Sequence, residues 1–422
     1  MKAMGAIPAA FSGDGPLLVA GRDAEAWIAQ AGDTPLFVYD FGIIARKIER
    51  LRKAMPAGLA IHYAIKANPF PPLVHAIAPL VDGLDIASAG ELAVARRAAP
   101  GSAISFAGPG KRDDELAAAI DAGVTINLES AGEARRALAI ADRIGVTPRL
   151  AVRVNPDFEL RGSGMKMGGR ASPFGVDAAQ APALVRELIA AGADWRGFHI
   201  FAGSQALDTT AIIDTQARTI ALAARLAEAA GASPPLVNLG GGFGIPYFHG
   251  DASVNVEAVG GALNNVMTSR GDVLSDTRFA IELGRWLVGQ AGVYLTRIVD
   301  RKESMGETFL VVDGGLHHQL AASGNFGTVV RRNYPIALAN RPFAPAEETV
   351  NVVGCLCTPL DRLGDQIALP RAEVGDVIAI FMAGGYGLTA SPTAFLGHPA
   401  PREMLVGFPG NPNAIFTPSD HS

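Results

Sequence analysis

Polar residues able to do chemistry recur just after short apolar runs. Lys66 follows HYAI in AIKANP, Asp85 lies in GLDIAS, Arg153 in LAVRVNP, and Ser204 shortly after GFHIF. Gly240, Gly241 and Gly242 follow LVNL, and Glu282 and Arg285 stand in FAIELGR. A lysine whose stem lies along buried surface sheds its proton more easily and can form a Schiff base with an aldehyde. A glycine turn between a strand and a helix offers unobstructed backbone N–H groups to a phosphate. Ile245 stands where the dinucleotide fingerprint needs its third glycine, so the turn does not read as a dinucleotide site. Each residue alone has a plainer reading: a solvated lysine, a tight turn, a surface ion pair. Taken together, a lysine, acids, a glycine cluster and two arginines suggest a phosphorylated aldehyde cofactor.

A repeated strand–helix unit must position them. Apolar runs at 59–65, 83–87, 103–107, 124–128, 150–154, 197–201, 236–240 and 279–283 read as strands. Ala-rich amphipathic segments lie between them. Ser130 to Glu133 reads as a capping box ahead of a helix that stops at Gly145, and Thr209 to Gly231 reads as one long helix. Eight such units favour a closed (β/α)₈ TIM barrel over an open doubly wound α/β sheet, and a barrel gathers its chemistry at the C-terminal ends of its strands. After about Gly292 the runs TFLVVDGG, TVNVVGCLC and DVIAIFMAGGYG have no long helix between them. They read as a C-terminal β-rich domain, sandwich- or barrel-like. LFVYD near residue 36 reads as a strand joining it. The expected division is 1–40 with the β domain, 41–290 as the barrel and 291–422 as the β domain.

Composition narrows the partners. The 422 residues are 49% apolar and 18% charged, enough to bury a large core. The net charge is −5 and no run of Lys or Arg stands out, which argues against nucleic acid. Cys355 and Cys357 are too close for an ordinary disulfide, and no second cluster supplies metal ligands. A reducing, cytoplasmic setting fits, with no metal. The N-terminus lacks a sustained apolar h-region and no apolar stretch reaches membrane-spanning length, so no membrane partner is expected.

On these motifs the chain resembles the fold-type III, alanine-racemase-fold decarboxylases that depend on pyridoxal 5'-phosphate, the group of diaminopimelate, ornithine and arginine decarboxylases. The resemblance runs from about Pro35 to Val406. HIFAGSQ and GCLCTPLDRLG are similar to the exosortase- and extracellular-polysaccharide-associated branch. The resemblance implies pyridoxal phosphate as cofactor and decarboxylation of an amino acid or amino-acid-like substrate. By position in YAIKAN, Lys66 matches the lysine that carries the cofactor. Asp85 and Glu91 in DIASAGEL match cofactor-side acids, and Arg153 an arginine near the phenolic oxygen. Ser204 and Gly240–Gly242 match phosphate contacts. Glu282 matches the acid at the pyridine nitrogen, where a carboxylate favours the protonated ring. Arg285 matches a phosphate or substrate contact, and Tyr386 in GGYG the tyrosine that closes over the phosphate beside the substrate. Cys357 matches the catalytic cysteine and Asp361 a nearby substrate-side acid. Both reach a partner subunit's site in the family, which implies a homodimer with shared active sites.

Three positions depart from the family pattern. Phe201 stands where a ring-stacking His is usual; it can stack but cannot move a proton. His199 lies two residues earlier and has only a modest claim to a direct role. Thr358 stands where the diaminopimelate and ornithine enzymes carry an acid, and a neutral Thr cannot neutralise a distal ammonium. That points away from free diamino acids toward a neutral, bulky or acyl/peptidyl-carrier-bound far end. Pro173-Phe174-Gly175 replaces Lys-Phe-Gly, with Lys166 as a substitute for the missing lysine. Two other readings remain: a racemase or isomerase on the same fold, and a non-catalytic homologue that binds the cofactor.

Overall fold

Eight short strands run parallel and close on themselves in the computed structural model, which describes residues 1–160, 162, 164–166, 168–324, 331–409 and 415–416. They are β1 (Ala60–Ala64), β2 (Gly83–Ile86), β3 (Ile104–Phe106), β4 (Thr125–Leu128), β5 (Arg149–Asn155), β6 (Asp194–Ile200), β7 (Leu236–Asn238) and β8 (Arg278–Leu283). Each pairs with the next, and β8 returns to β1 with Glu282 opposite His62. The expected (β/α)₈ barrel forms; the open sheet does not. Period-two alternation divides each strand between two faces. Ile61, Tyr63, Leu84, Ile126, Val152 and Phe279 are buried on the apolar side. Register puts His62, Asp85, Asn127, Arg153, His199 and Glu282 together on the other, and all six are buried. Buried polar groups on that scale need partners, so this face is where the fold spends its stability on chemistry.

Helix ends follow the capping rules, with one difference. Ser130 accepts the N–H of Glu133 at the start of Ala131–Ile144, and Gly145 ends that helix at φ 78°. Only half of the expected capping box forms, because the Glu133 carboxylate turns to the buried Lys111 ammonium at 2.8 Å instead. A buried charge needs that partner more than a helix N-terminus needs a second cap. The long helix Thr209–Ala230 starts at Asp208, whose carboxylate accepts the Thr210 and Ala211 N–H groups, and ends at Gly231.

The chain divides into two compact units, Lys47–Gly244 with Ser253–Gly284, and Met1–Arg46 with Ile245–Ala252 and Arg285–Ser422. The first contains the barrel. In the second, the long strand Gly292–Ser304 pairs antiparallel with Leu36–Asp40, Val377–Ile380 and Glu307–Val312. Glu307–Val312 in turn pairs with Glu348–Val353, which pairs with Arg362–Leu369. LFVYD thus joins the β sheet. Ile245–Ala252 also belongs to the β unit, which no sequence signal marks. Buried Tyr247 anchors it, with its ring 4.8 Å from that of Tyr334. No helix among the described residues is long and apolar enough to cross a membrane.

Candidate active site

β1 ends in a single turn, Ile65–Ala67, whose outer residues are buried while Lys66 between them is exposed. The expectation of a lysine lying along buried surface is therefore corrected: the turn lifts Lys66 off the strand end. Its Nζ stands 5.7 Å from the centroid of the Phe201 ring, just after β6, within cation–π range. Among the described residues no ion pair or hydrogen bond holds Nζ, so a covalent partner would displace none.

Glu282, on β8, is held by two side-chain donors. His199 Nε2–H donates to its Oε2 at 2.9 Å, and Asn238 Nδ2–H donates to the same oxygen at 3.1 Å. Burial works against ionisation. The His199 imidazole and its hydrogen bond, with the Lys66 and Arg153 charges, outweigh that and hold the carboxyl well below its ordinary range. His199 thus has a defined job as the partner of Glu282.

Arg153, on β5, is held by a network that sequence reasoning missed. Its Nη1 donates to Glu129 Oε1 at 2.7 Å, and the same carboxylate accepts the N–H groups of Gly108 and Gly175. Burial raises the Glu129 carboxyl, but Arg153, Lys111 and the Gly175 N–H bring it below its ordinary value. Burial lowers Lys111 despite its ion pair with Glu133. The ring of Phe174 lies 5.0 Å from the Arg153 guanidinium carbon. Phe174 and Gly175 of the Pro-Phe-Gly motif therefore keep a place in the site although the usual lysine is missing. The side chain of Lys166 lies outside the described residues. Glu129 directly follows β4, so the strand-end argument that selected Lys66 could have found it.

The remaining barrel residues sit as follows. Asp85, on β2, is buried, and neither carboxylate oxygen has a hydrogen-bond partner; His62 Nδ1 is 3.4 Å away. Glu91 accepts the Ala87 N–H at 2.6 Å, and burial pushes its carboxyl up, offset only in part by that bond and by Lys66. Gly240 turns at φ 67° with its N–H on Asn238 Oδ1. A Cβ on Gly241 would lie 1.8 Å from the Glu282 carbonyl oxygen, so this turn packs too tightly for any side chain. Ser204 lies on a short strand paired with Met165.

The β unit holds the other expected residues. Arg285 Nη1 donates to the Tyr247 hydroxyl at 2.7 Å, its guanidinium carbon is 4.4 Å from the Tyr386 ring centroid, and its Nε is buried without a partner. Cys357 is exposed. Cys355 is half-buried, and burial, with Asp361 and Asp313 nearby, pushes its thiol up to about 11. Asp361, expected on the substrate side, is 3% exposed, and its two oxygens accept the N–H groups of Leu316 and Leu356. It ties down the segment that carries Cys357. Thr358 Oγ1 accepts the Leu360 N–H at 3.4 Å within the same turn.

The barrel set fits the cofactor that the resemblance implies. It has an exposed lysine beside an aromatic ring, an acid kept ionised, a side-chain-free turn, and a buried carboxylate at Asp85 with no hydrogen bond to either oxygen and only the His62 ring nearby.

Comparison with known proteins gives the same family from three directions. Residues 41–289 match the family described as "Pyridoxal-dependent decarboxylase, pyridoxal binding domain". The chain is 36% identical over 382 residues to an L-glutamyl-[BtrI acyl-carrier protein] decarboxylase of Niallia circulans, covering 88% of this chain and 89% of that one. It is 32% identical over 400 residues to a diaminopimelate decarboxylase of Archaeoglobus fulgidus, covering 93% and 92%. Among solved structures, diaminopimelate decarboxylase of Helicobacter pylori complexed with L-lysine superposes with a TM-score of 0.80 at 26% identity, covering 93% and 95%.

Proposed function

The chain belongs to the pyridoxal-dependent decarboxylases, and from that premise we propose that its substrate is an amino-acid unit with an uncharged or carrier-bound far end. The observation that carries this is Thr358. Its hydroxyl is engaged by the Leu360 N–H, and no carboxylate stands at its position to meet a distal ammonium. The Niallia circulans relative, by its name, acts on a glutamyl unit attached to an acyl-carrier protein. A Staphylococcus aureus relative at 27% identity is named for a 2-[(L-alanin-3-ylcarbamoyl)methyl]-2-hydroxybutanedioate, in which an alanine unit bears a large conjugate.

Pyridoxal phosphate, when bound, supplies the electron sink for the carbanion left as CO₂ departs. In this proposal the chain does the rest. Lys66 Nζ would hold the cofactor covalently, with Phe201 as the aromatic face beside it. Glu282, kept ionised chiefly by His199, would favour a proton on the ring nitrogen. Arg153, fixed by Glu129, would serve the phenolic oxygen, and Asp85 would serve as a further cofactor-side acid. Ser204, Gly240–Gly242, Arg285 and Tyr386 hold the phosphate, and Arg285, Thr358 and Tyr386 line the substrate's path. Lys66 or Cys357 returns a proton to Cα. Asp361 acts through the loop it anchors. Two chains share each site, Cys357 of one serving Lys66 of the other, and the enzyme works in the cytoplasm. A place beside exosortase or extracellular-polysaccharide systems, suggested by HIFAGSQ and GCLCTPLDRLG, is part of the same proposal.

CO₂ release from a panel tests it: diaminopimelate, ornithine, lysine, free glutamate and glutamate loaded on an acyl-carrier protein. The proposal expects the carrier-bound amino acid to exceed every free diamino acid by at least about tenfold in kcat/KM, a difference of 1.4 kcal/mol. Fastest turnover of diaminopimelate contradicts it. Racemisation without CO₂ moves the assignment to an isomerase.

A further inference from the structure

A (β/α)₈ barrel usually fills its interior with stacked branched side chains and leaves no pore. Here the interior below the catalytic layer is lined largely by small or polar residues, with Leu59 and Leu236 among the few large apolar ones. Ala60, Ser105, Ala151 and Asn127 border a cavity of about 340 Å³ that opens at the N-terminal mouth of the barrel. That volume lies within the range of small-molecule sites, roughly 300–1,000 Å³. The mouth is opposite the end that carries Lys66.

The cavity carries a surplus of positive charge. Arg52, Arg149, Arg196 and Arg278 line it. Arg52 is paired with Asp82, while Arg149 and Arg196 share Asp194 at 3.7 and 3.3 Å. Among the described residues no carboxylate pairs with Arg278. Guanidinium groups match oxyanions with paired N–H donors, and charge of one sign at the mouth of a low-dielectric cavity draws in counter-ions.

The inner end of the cavity backs onto the catalytic acids. His62 lines it and places Nδ1 3.4 Å from Asp85. Asn238 lines it too and donates to Glu282 at 3.1 Å. An occupant would therefore stand one residue away from each acid.

We propose that the N-terminal mouth of the barrel is a second binding site, for a small dianion such as a phosphate- or dicarboxylate-bearing metabolite. It is separate from the cofactor's phosphate cradle at Gly240–Gly242 and does not depend on which substrate the enzyme takes.

Equilibrium dialysis of the cofactor-loaded protein at fixed ionic strength tests this, with labelled inorganic phosphate in one arm and labelled succinate in the other. Loading the cofactor first fills the glycine cradle. The expected result is one saturable equivalent per chain of at least one probe. Affinity should fall at least about tenfold in the Arg149→Gln, Arg278→Gln double variant. Arg278 is exposed and Arg149 partly so, and Ala103→Leu, at the exposed rim, adds bulk to the lining without removing charge. It should likewise lower affinity at least about tenfold. Saturation by neither probe, or binding unchanged in both variants, overturns the proposal.

Discussion

His199 Nε2 and Glu282 Oε2 lie 2.9 Å apart inside the barrel, joining β6 to β8. The bond gives the buried carboxylate a fixed donor and, with Asn238, fixes which oxygen is left for a ligand. An acid held this way keeps its charge well below the ordinary carboxylate range. Glu282→Gln keeps the shape and removes the charge. The expected outcome is retained cofactor and a loss of at least about 10²-fold in kcat, the scale of removing one preorganised electrostatic contact. Absorbance spectra and steady-state kinetics check it; full activity in Glu282→Gln would contradict the assigned role.

Glu129 binds Arg153 and two backbone N–H groups at once. Glu129→Ala strands a buried guanidinium and two donors, so the expected cost is roughly 3–5 kcal/mol of stability. Urea unfolding of the variant measures it. A loss under 1 kcal/mol would mean that the network is not what holds Arg153.

The two cysteines should react differently. Cys355 is half-buried with its thiol raised to about 11, whereas Cys357 is exposed. The thiolate is the nucleophile, so iodoacetamide at pH 8 should label Cys357 and spare Cys355. Peptide mass mapping reads the result, and equal labelling would contradict the geometry.

How far the sequence showed this architecture depends on the kind of signal. The eight strands stood out because each apolar run is short and separated from the next by an Ala-rich helical pattern, and counting them favoured closure. Lys66 and Glu282 stood out because barrel chemistry sits at strand ends. The partnership of His199 with Glu282 did not, because it reaches across the barrel interior past β7, and the two residues lie 83 positions apart in the chain. The anchoring of the Cys357 loop by Asp361 was hidden for a related reason: backbone N–H donors leave no trace in a sequence, so an acid that binds them looks free. Ile245–Ala252 left the barrel unit unannounced, since Tyr247 finds Tyr334 across 87 residues of chain.

Acid should weaken the β unit through two histidines. Burial lowers His317 to about 4 and His318 to about 3, with neighbouring His398 and His317 respectively adding to the effect. The unfolded chain, with pKa near 6.5, therefore takes up protons first as pH falls. Stability is kept above about pH 6.5 and declines from there toward pH 4. Melting temperature across that window should fall, and His317→Phe should flatten the slope. An unchanged slope would assign the acid sensitivity elsewhere.

Shared sites make a mixing experiment informative. Lys66→Ala and Cys357→Ala chains, each inactive alone, should regain up to about a quarter of native activity when mixed, the share expected if half the dimers are mixed and each holds one intact site. No recovery, with subunit exchange shown by mass, would place each site within one chain.

The central claim is that Lys66, lifted off the end of β1 beside Phe201, carries the cofactor. Borohydride reduction of the purified yellow protein, followed by peptide mass mapping, tests it most directly. The account predicts one modified peptide, containing Lys66, and none in Lys66→Ala. Cofactor fixed at another lysine, or a protein that takes up none, would contradict it.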